Sequence, residues 1–160
     1  MKKSFFAILF LLMIFSNHVS AQDTEGLFGS IGSNEVNVRV GPGTQYPISW
    51  VYKQKYWPVE AVAKHQGWYK IRDIDGEEGW IYGRFFSKTR YGIVYNPKEQ
   101  TPVNMYKKRD GRRVILRFEH GALVRLRACE LDICKVSYGK TKGWMQKKYL
   151  LNTQGIPSED

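Results

Sequence analysis

Few side chains in this sequence could perform covalent chemistry or hold a metal. Cys129 and Cys134 are its two cysteines, and His18, His65 and His120 its three histidines. Cys129, Cys134 and His120 make an incomplete zinc set, with no evident fourth ligand and a spacing that fits no usual pattern. A Cys/His nucleophile is equally poorly served, because the cysteines have each other as partners. Asp73, Asp75, Glu77 and Glu78 gather around Gly76. They have the acidity of a calcium loop but not its ligand register, and they run straight into a strand-like segment. A solvated hairpin turn is the expectation there. No catalytic residue, metal or cofactor is expected.

Aromatic side chains carry what signal remains. Tyr46, Trp50, Tyr52, Tyr56, Trp57, Tyr69 and Tyr82 are more than one small core can bury. Rings left at a surface mark binding sites. Such rings stack on sugar faces or hold a peptide in a groove; alternatively they fill a contact between two parts of the chain. Tyr46, Trp50, Tyr52, Trp57, Tyr69 and Tyr82 form the candidate groove. Trp68, Trp80 and Trp144 are expected to be partly or wholly core.

The elements that must position these rings begin after a leader. Lys2 and Lys3 precede an apolar run from Phe5 to Phe15, and Val19-Ser20-Ala21 supplies small residues before Gln22. That is the layout of a cleaved signal peptide over residues 1–21. A retained N-terminal anchor is the competing possibility. No later segment is long and apolar enough to span a membrane as a helix. Loss of Lys2 and Lys3 takes the formal charge from +10 to +8. In an exported protein that excess favours anionic envelope polymers, acidic protein faces or lipid head groups over nucleic acid.

Residues 22–33, QDTEGLFGSIGS, contain Gly and Ser with little periodicity and are expected to be a flexible lead-in. From there the chain is short β-prone runs divided by Gly, Pro, Asp and Asn, with no sustained helical period. Val36, Val38 and Val40 alternate toward one face. An internal repeat follows: VNV (36–38) matches VNM (103–105), VEAVA (59–63) matches VRLRA (124–128), and WYKI (68–71) matches ICKV (133–136). Gly79-Trp80 matches Gly143-Trp144, each with an aromatic five residues on, Phe85 and Tyr149. The expectation is an all-β chain of two small modules, 34–88 and 103–152, with a linker over 89–102 and a tail over 153–160.

Modules of this size sit near the lower limit for an unaided core. Cys129 and Cys134 flank ELDI, where a hairpin turn falls between matched strands. Partners across that hairpin would share a face, and a disulfide is expected in an oxidising compartment; two free structural thiols are the alternative. Lys64 and Tyr69 hold the matching positions in the first module.

With the modules aligned, NVRVGPGTQYP, PVEAVA and GWYKIRDIDGEEGWIYGRFF resemble the bacterial SH3 domain. The whole chain after the leader is similar to exported tandem SH3-like proteins of Gram-negative bacteria. The motif comprises Asn37, Arg39, Gly41, Pro42, Gly79 and Trp80, with Gly143 and Trp144 in a divergent second copy that lacks the arginine and the Gly-Pro turn. The resemblance implies two tandem SH3-like β-barrels in the periplasm or outside the cell. In the sequence itself, Gly41, Pro42 and Gly43 suit a sharp reversal. Arg39 is expected to tie down carbonyls of the loop that follows, with ligand contact as its alternative role.

The modules use up the chain after the leader, leaving no room for a catalytic domain. The resemblance implies non-catalytic recognition of peptidoglycan, by peptide stem or glycan, as the expected function; the alternative is an adaptor that binds an envelope protein.

Overall fold

A computed structural model describes residues 22–98, 101–154 and 156. The expected leader lies outside the described residues. The described residues form two antiparallel sheets of seven strands, each with its own core. In the first sheet the strands are β1 (Gln22–Ile31), β2 (Val36–Arg39), β3 (Ile48–Tyr52), β4 (Pro58–His65), β5 (Trp68–Asp73), β6 (Glu78–Tyr82) and β7 (Phe86–Ser87), ordered β3-β2-β6-β5-β4-β1-β7. The second contains β8 (Tyr91–Val94), β9 (Val103–Tyr106), β10 (Val114–Phe118), β11 (Leu123–Glu130), β12 (Ile133–Tyr138), β13 (Thr141–Gln146) and β14 (Leu150–Leu151), ordered β10-β9-β13-β12-β11-β8-β14. The two orders are identical once each strand is replaced by its counterpart seven places on. Single 3₁₀ turns, Gly83–Phe85 and Lys147–Tyr149, precede β7 and β14.

That correspondence corrects two expectations. The supposed lead-in is largely β1, paired with β4 and β7, and part of the supposed linker is β8, paired with β11 and β14. Gly29 and Gly92 explain why both segments look like loops. A Cβ on Gly29 would collide with the Ser87 carbonyl and the Phe86 ring, and one on Gly92 would crowd the Leu151 carbonyl and Leu126. Here glycine marks close approach of neighbouring chain rather than a break in the strand. Ser30 and Ile31 follow Gly29 into full burial, as Ile93 and Val94 follow Gly92.

Strand alternation sets the cores. Val36, Val38, Val59, Ile71 and Ile81 join Ile31 inside the first sheet. Val103, Met105, Val124, Leu126, Val136 and Met145 fill the second. Val40 departs from the expected inward face and is 61% exposed. The β2/β3 register slips between Val38 and Arg39, which ends the two-residue period before Val40. Gly79 and Gly143 are small for a reason: a side chain on Gly79 would strike Val38 and the Trp50 ring, and one on Gly143 would strike Tyr106 and Met105.

The three tryptophans expected to be partly or wholly core are only partly buried. Trp68, Trp80 and Trp144 are half-buried on the opposite face of their strands, whose inward neighbours are Ile71, Ile81 and Met145. Cys129 and Cys134 are opposed across β11 and β12 and joined by a disulfide. Lys64 and Tyr69 are opposed at the matching place, with the ammonium 5.6 Å from the ring centroid.

Candidate functional site

Arg39 ends β2 and begins the site. Its Nη1 donates to the carbonyl oxygens of Thr44 at 3.2 Å and Tyr46 at 2.6 Å. The loop from Val40 to Pro47 is thereby folded back on its own strand, with the Val40 N–H bonded to the Pro47 carbonyl at 3.2 Å. Gly41 lies beneath the Tyr46 ring, where any side chain would overlap it. The tight turn that Gly41, Pro42 and Gly43 make is closed from both ends.

Across from this loop stands the β4–β5 hairpin tip. Gln66 and Gly67 both have positive φ, 41° and 83°, the geometry of a two-residue hairpin turn. The Gly83 N–H donates to the Gly67 carbonyl at 2.8 Å, which ties the tip to the 3₁₀ turn. Trp68 and Tyr82 are direct cross-strand partners and meet edge to face at 5.5 Å.

The Arg39 loop, the hairpin tip and the 3₁₀ turn enclose a groove of about 700 Å³. Its aromatic lining is Trp68, Tyr82 and Phe85, and its cations are Arg39 and Arg84. The Arg84 guanidinium lies 4.7 Å from the Phe85 centroid and 5.8 Å from that of Tyr82. Asn37, Pro42, Thr44, Gln45 and Gln66 supply polar and shaping contacts, with Glu35 at one edge. Such a groove has the size of a small-ligand site. It offers flat apolar surface beside fixed guanidinium donors, a combination suited to carboxylate-bearing ligands.

The six rings expected in one groove are distributed over several places. Tyr82 lines the groove just described. Trp50, Tyr52 and Trp57 line a second depression of about 680 Å³, together with Asp73, Asp75 and Glu77. Tyr69 packs on Phe86 at 4.9 Å and against the core. Tyr46 covers Gly41. Trp68, Arg84 and Phe85 were not among the expected groove residues. The acidic turn between Asp73 and Glu78, which folds β6 back on β5 and makes Trp68 and Tyr82 neighbours, was the available clue.

The acidic turn is self-contained. Asp73 Oδ1 accepts the Asp75 and Glu77 N–H groups at 3.0 Å each. Asp73 Oδ2 accepts the Tyr52 hydroxyl at 2.9 Å. Burial, reinforced by this carboxylate, pushes the Tyr52 phenol above the ordinary tyrosine range. Glu78 bonds Lys70 at 2.5 Å and Arg72 at 2.7 Å, and these hydrogen bonds hold its carboxyl below the usual value. Among the described residues, no group of three or more His, Cys, Asp or Glu is placed to hold a metal ion. No helix there is long and apolar enough to cross a membrane.

The second module retains the position of the groove but not its character. Tyr106, Ile133, Gln146 and Lys148 stand where Arg39, Trp68, Tyr82 and Arg84 stand in the first. The space there, lined by Tyr106, Ile133, Gln146 and Asp132 with Arg109–Gly111, is about 290 Å³.

The sequence model of the bacterial SH3 domain matches this chain twice, over residues 32–87 and 97–151. The chain belongs to the bacterial SH3 domain family. Its two bacterial SH3 domains are also similar to part of a Bacillus subtilis (strain 168) protein, "Putative N-acetylmuramoyl-L-alanine amidase YrvJ", at 26% identity over 174 residues. That match takes in all of this chain and 33% of the relative, so the chain spans about a third of that protein's length. Structural likenesses were found to NlpC2 of Trichomonas vaginalis (14% identity, 83% of this chain and 48% of that one, TM-score 0.35). NlpC1 of the same organism gives 15% identity, 91% and 50% coverage, and a TM-score of 0.33.

Proposed function

We propose that this protein is a non-catalytic envelope component that binds the peptide stems of peptidoglycan in the Trp68–Tyr82 groove. The observation that carries this is the meeting of three aromatic rings with Arg39 and Arg84 in one groove of ligand size. Carboxylates of a stem peptide pair with the guanidinium groups, and its apolar atoms lie on the rings. The likeness to part of a protein named as a muramoyl-alanine amidase fits work at the wall, and export by the segment over residues 1–21 fits the same compartment.

Recognition without catalysis is supported by how the reactive side chains are used. Both cysteines are consumed in the disulfide. His120 Nδ1 accepts the Asn96 N–H at 3.3 Å and its ring packs on Tyr95.

A second reading has its own observation. Trp50, Tyr52 and Trp57 stand beside Asp75 and Glu77, which form no ion pair among the described residues. That surface favours an adaptor role with a basic protein partner.

Co-sedimentation with purified sacculi tests the proposal. Native protein should be retained in a salt-sensitive manner, and Tyr82→Ala/Arg84→Ala should release it while Asp75→Asn/Glu77→Gln does not. Retention unchanged by the groove pair, or no retention at low salt, would reject wall binding at this groove.

A further inference from the structure

The two modules carry very different charge. Residues 34–88 contain 8 Lys/Arg against 6 Asp/Glu, and residues 103–152 contain 13 against 4. Strand register shows where the excess is placed. In the first sheet, Glu60 opposes Arg72, which opposes Glu78; one row along, Lys70 opposes Trp80. Cross-strand partners share a face, and this face neutralises itself. Glu78 binds Lys70 and Arg72, and Arg72 lies 3.6 Å from Glu60.

The same rows in the second sheet read differently. Arg125 opposes Ser137, which opposes Lys142, and Lys135 opposes Trp144. Both sheets bulge at the same step, between Ala61 and Ala63 and between Leu126 and Ala128, so the positions correspond one to one. Glu60 is replaced by Arg125 and Glu78 by Lys142. Arg127, in the bulge, reaches onto this face and donates from Nε to Ser137 Oγ at 3.2 Å. Lys135 and Arg109 lie 5.6 and 5.7 Å from the Trp144 centroid, and Arg109 is paired with Glu130.

Like charges on neighbouring strands oppose folding. The first module shows that the scaffold accommodates acids at both positions, so the cations are not demanded by the fold. Tyr106, Ile133 and Trp144 on this face are all half-buried. Leu131, 90% exposed, projects from the β11–β12 turn beyond the strand ends rather than from among these cations, so the charged rows suit a chain lying across strands about 4.8 Å apart better than insertion into a bilayer. We infer that the face of the second module carrying Arg125, Arg127 and Lys142 binds an extended polyanion with repeated negative groups. This site is separate from the aromatic groove of the first module and does not depend on it.

The test uses the full chain and inorganic polyphosphate as probe, with phosphatidylglycerol vesicles as a second arm. Arg125→Glu/Lys142→Glu restores the charge pattern of the first sheet at these two positions. It should weaken polyphosphate binding at least about tenfold through lost counterion release, with a melting midpoint no lower than native. Lys53→Glu/Lys64→Glu changes net charge equally on the first module and should alter binding less than about twofold. Equal weakening by both pairs, no binding of polyphosphate, or binding to vesicles alone would overturn the inference.

Discussion

Arg39 holds Tyr46 by its backbone: the guanidinium Nη1 donates to the Tyr46 carbonyl at 2.6 Å while the Tyr46 ring lies over Gly41. One side chain thus closes the loop that forms one wall of the groove. Lysine cannot reproduce two oriented donors to two carbonyls. Arg39→Lys should lower stability by about 1 kcal/mol and reduce retention on sacculi. Chemical denaturation and co-sedimentation of the same sample check both effects.

Gly79→Ala puts a methyl group into Val38 and the Trp50 ring. Overpacking of this kind costs about 1–3 kcal/mol. Gly143→Ala, pressed against the Tyr106 carbonyl and Met105, should cost a similar amount in the second module. Urea midpoints of the two single variants measure this, and Gly76→Ala, with open space around it but φ of +87°, separates crowding from backbone strain.

The Cys129–Cys134 disulfide closes a short loop within one hairpin. Chain entropy for so short a loop gives about 2 kcal/mol. Cys129→Ser/Cys134→Ser should lower the unfolding free energy of the second module by about 2 kcal/mol, read from its denaturation curve. Adding reductant to native protein should reproduce the loss, and the first module should unfold as before because Lys64 and Tyr69 hold its matching position.

Glu78 sets a pH dependence whose sign is fixed by its lowered pKa. Its ion pairs with Lys70 and Arg72 contribute fully above the unfolded carboxylate range, near ~4.3. That contribution fades as pH falls through the lower folded value. Solvent screening limits it to about 0.5 kcal/mol. Glu78→Gln should therefore be slightly less stable than native protein at pH 7 and indistinguishable from it at pH 2, as read by thermal melts in low salt.

Much of this architecture was legible in the residues. The VNV/VNM, VEAVA/VRLRA and Gly-Trp repeats fall on equivalent strands, Cys129 meets Cys134, and Arg39 clamps its loop. Three physical causes hid the remainder. Gly29 and Gly92 resemble loop residues because tight strand packing and turns both select glycine. The slip after Val38 breaks the alternation that placed Val40 inside. Aromatic composition counts rings without saying which strand face each occupies, so Trp50, Tyr52 and Trp57 were grouped with Tyr82, although they line a different depression. Trp68, expected to be partly or wholly core, is half-buried on the outer face because a strand turns every second residue outward.

The central claim is that wall peptide lies against Trp68 in the first module. It is tested most directly by titrating the full chain with a soluble muropeptide while the five indole N–H signals are followed by NMR. Saturable movement of the Trp68 signal, lost in Arg84→Ala with the Trp144 signal unmoved throughout, is the predicted result. A still Trp68 signal at saturating peptide, or movement confined to Trp50 and Trp57, would contradict it.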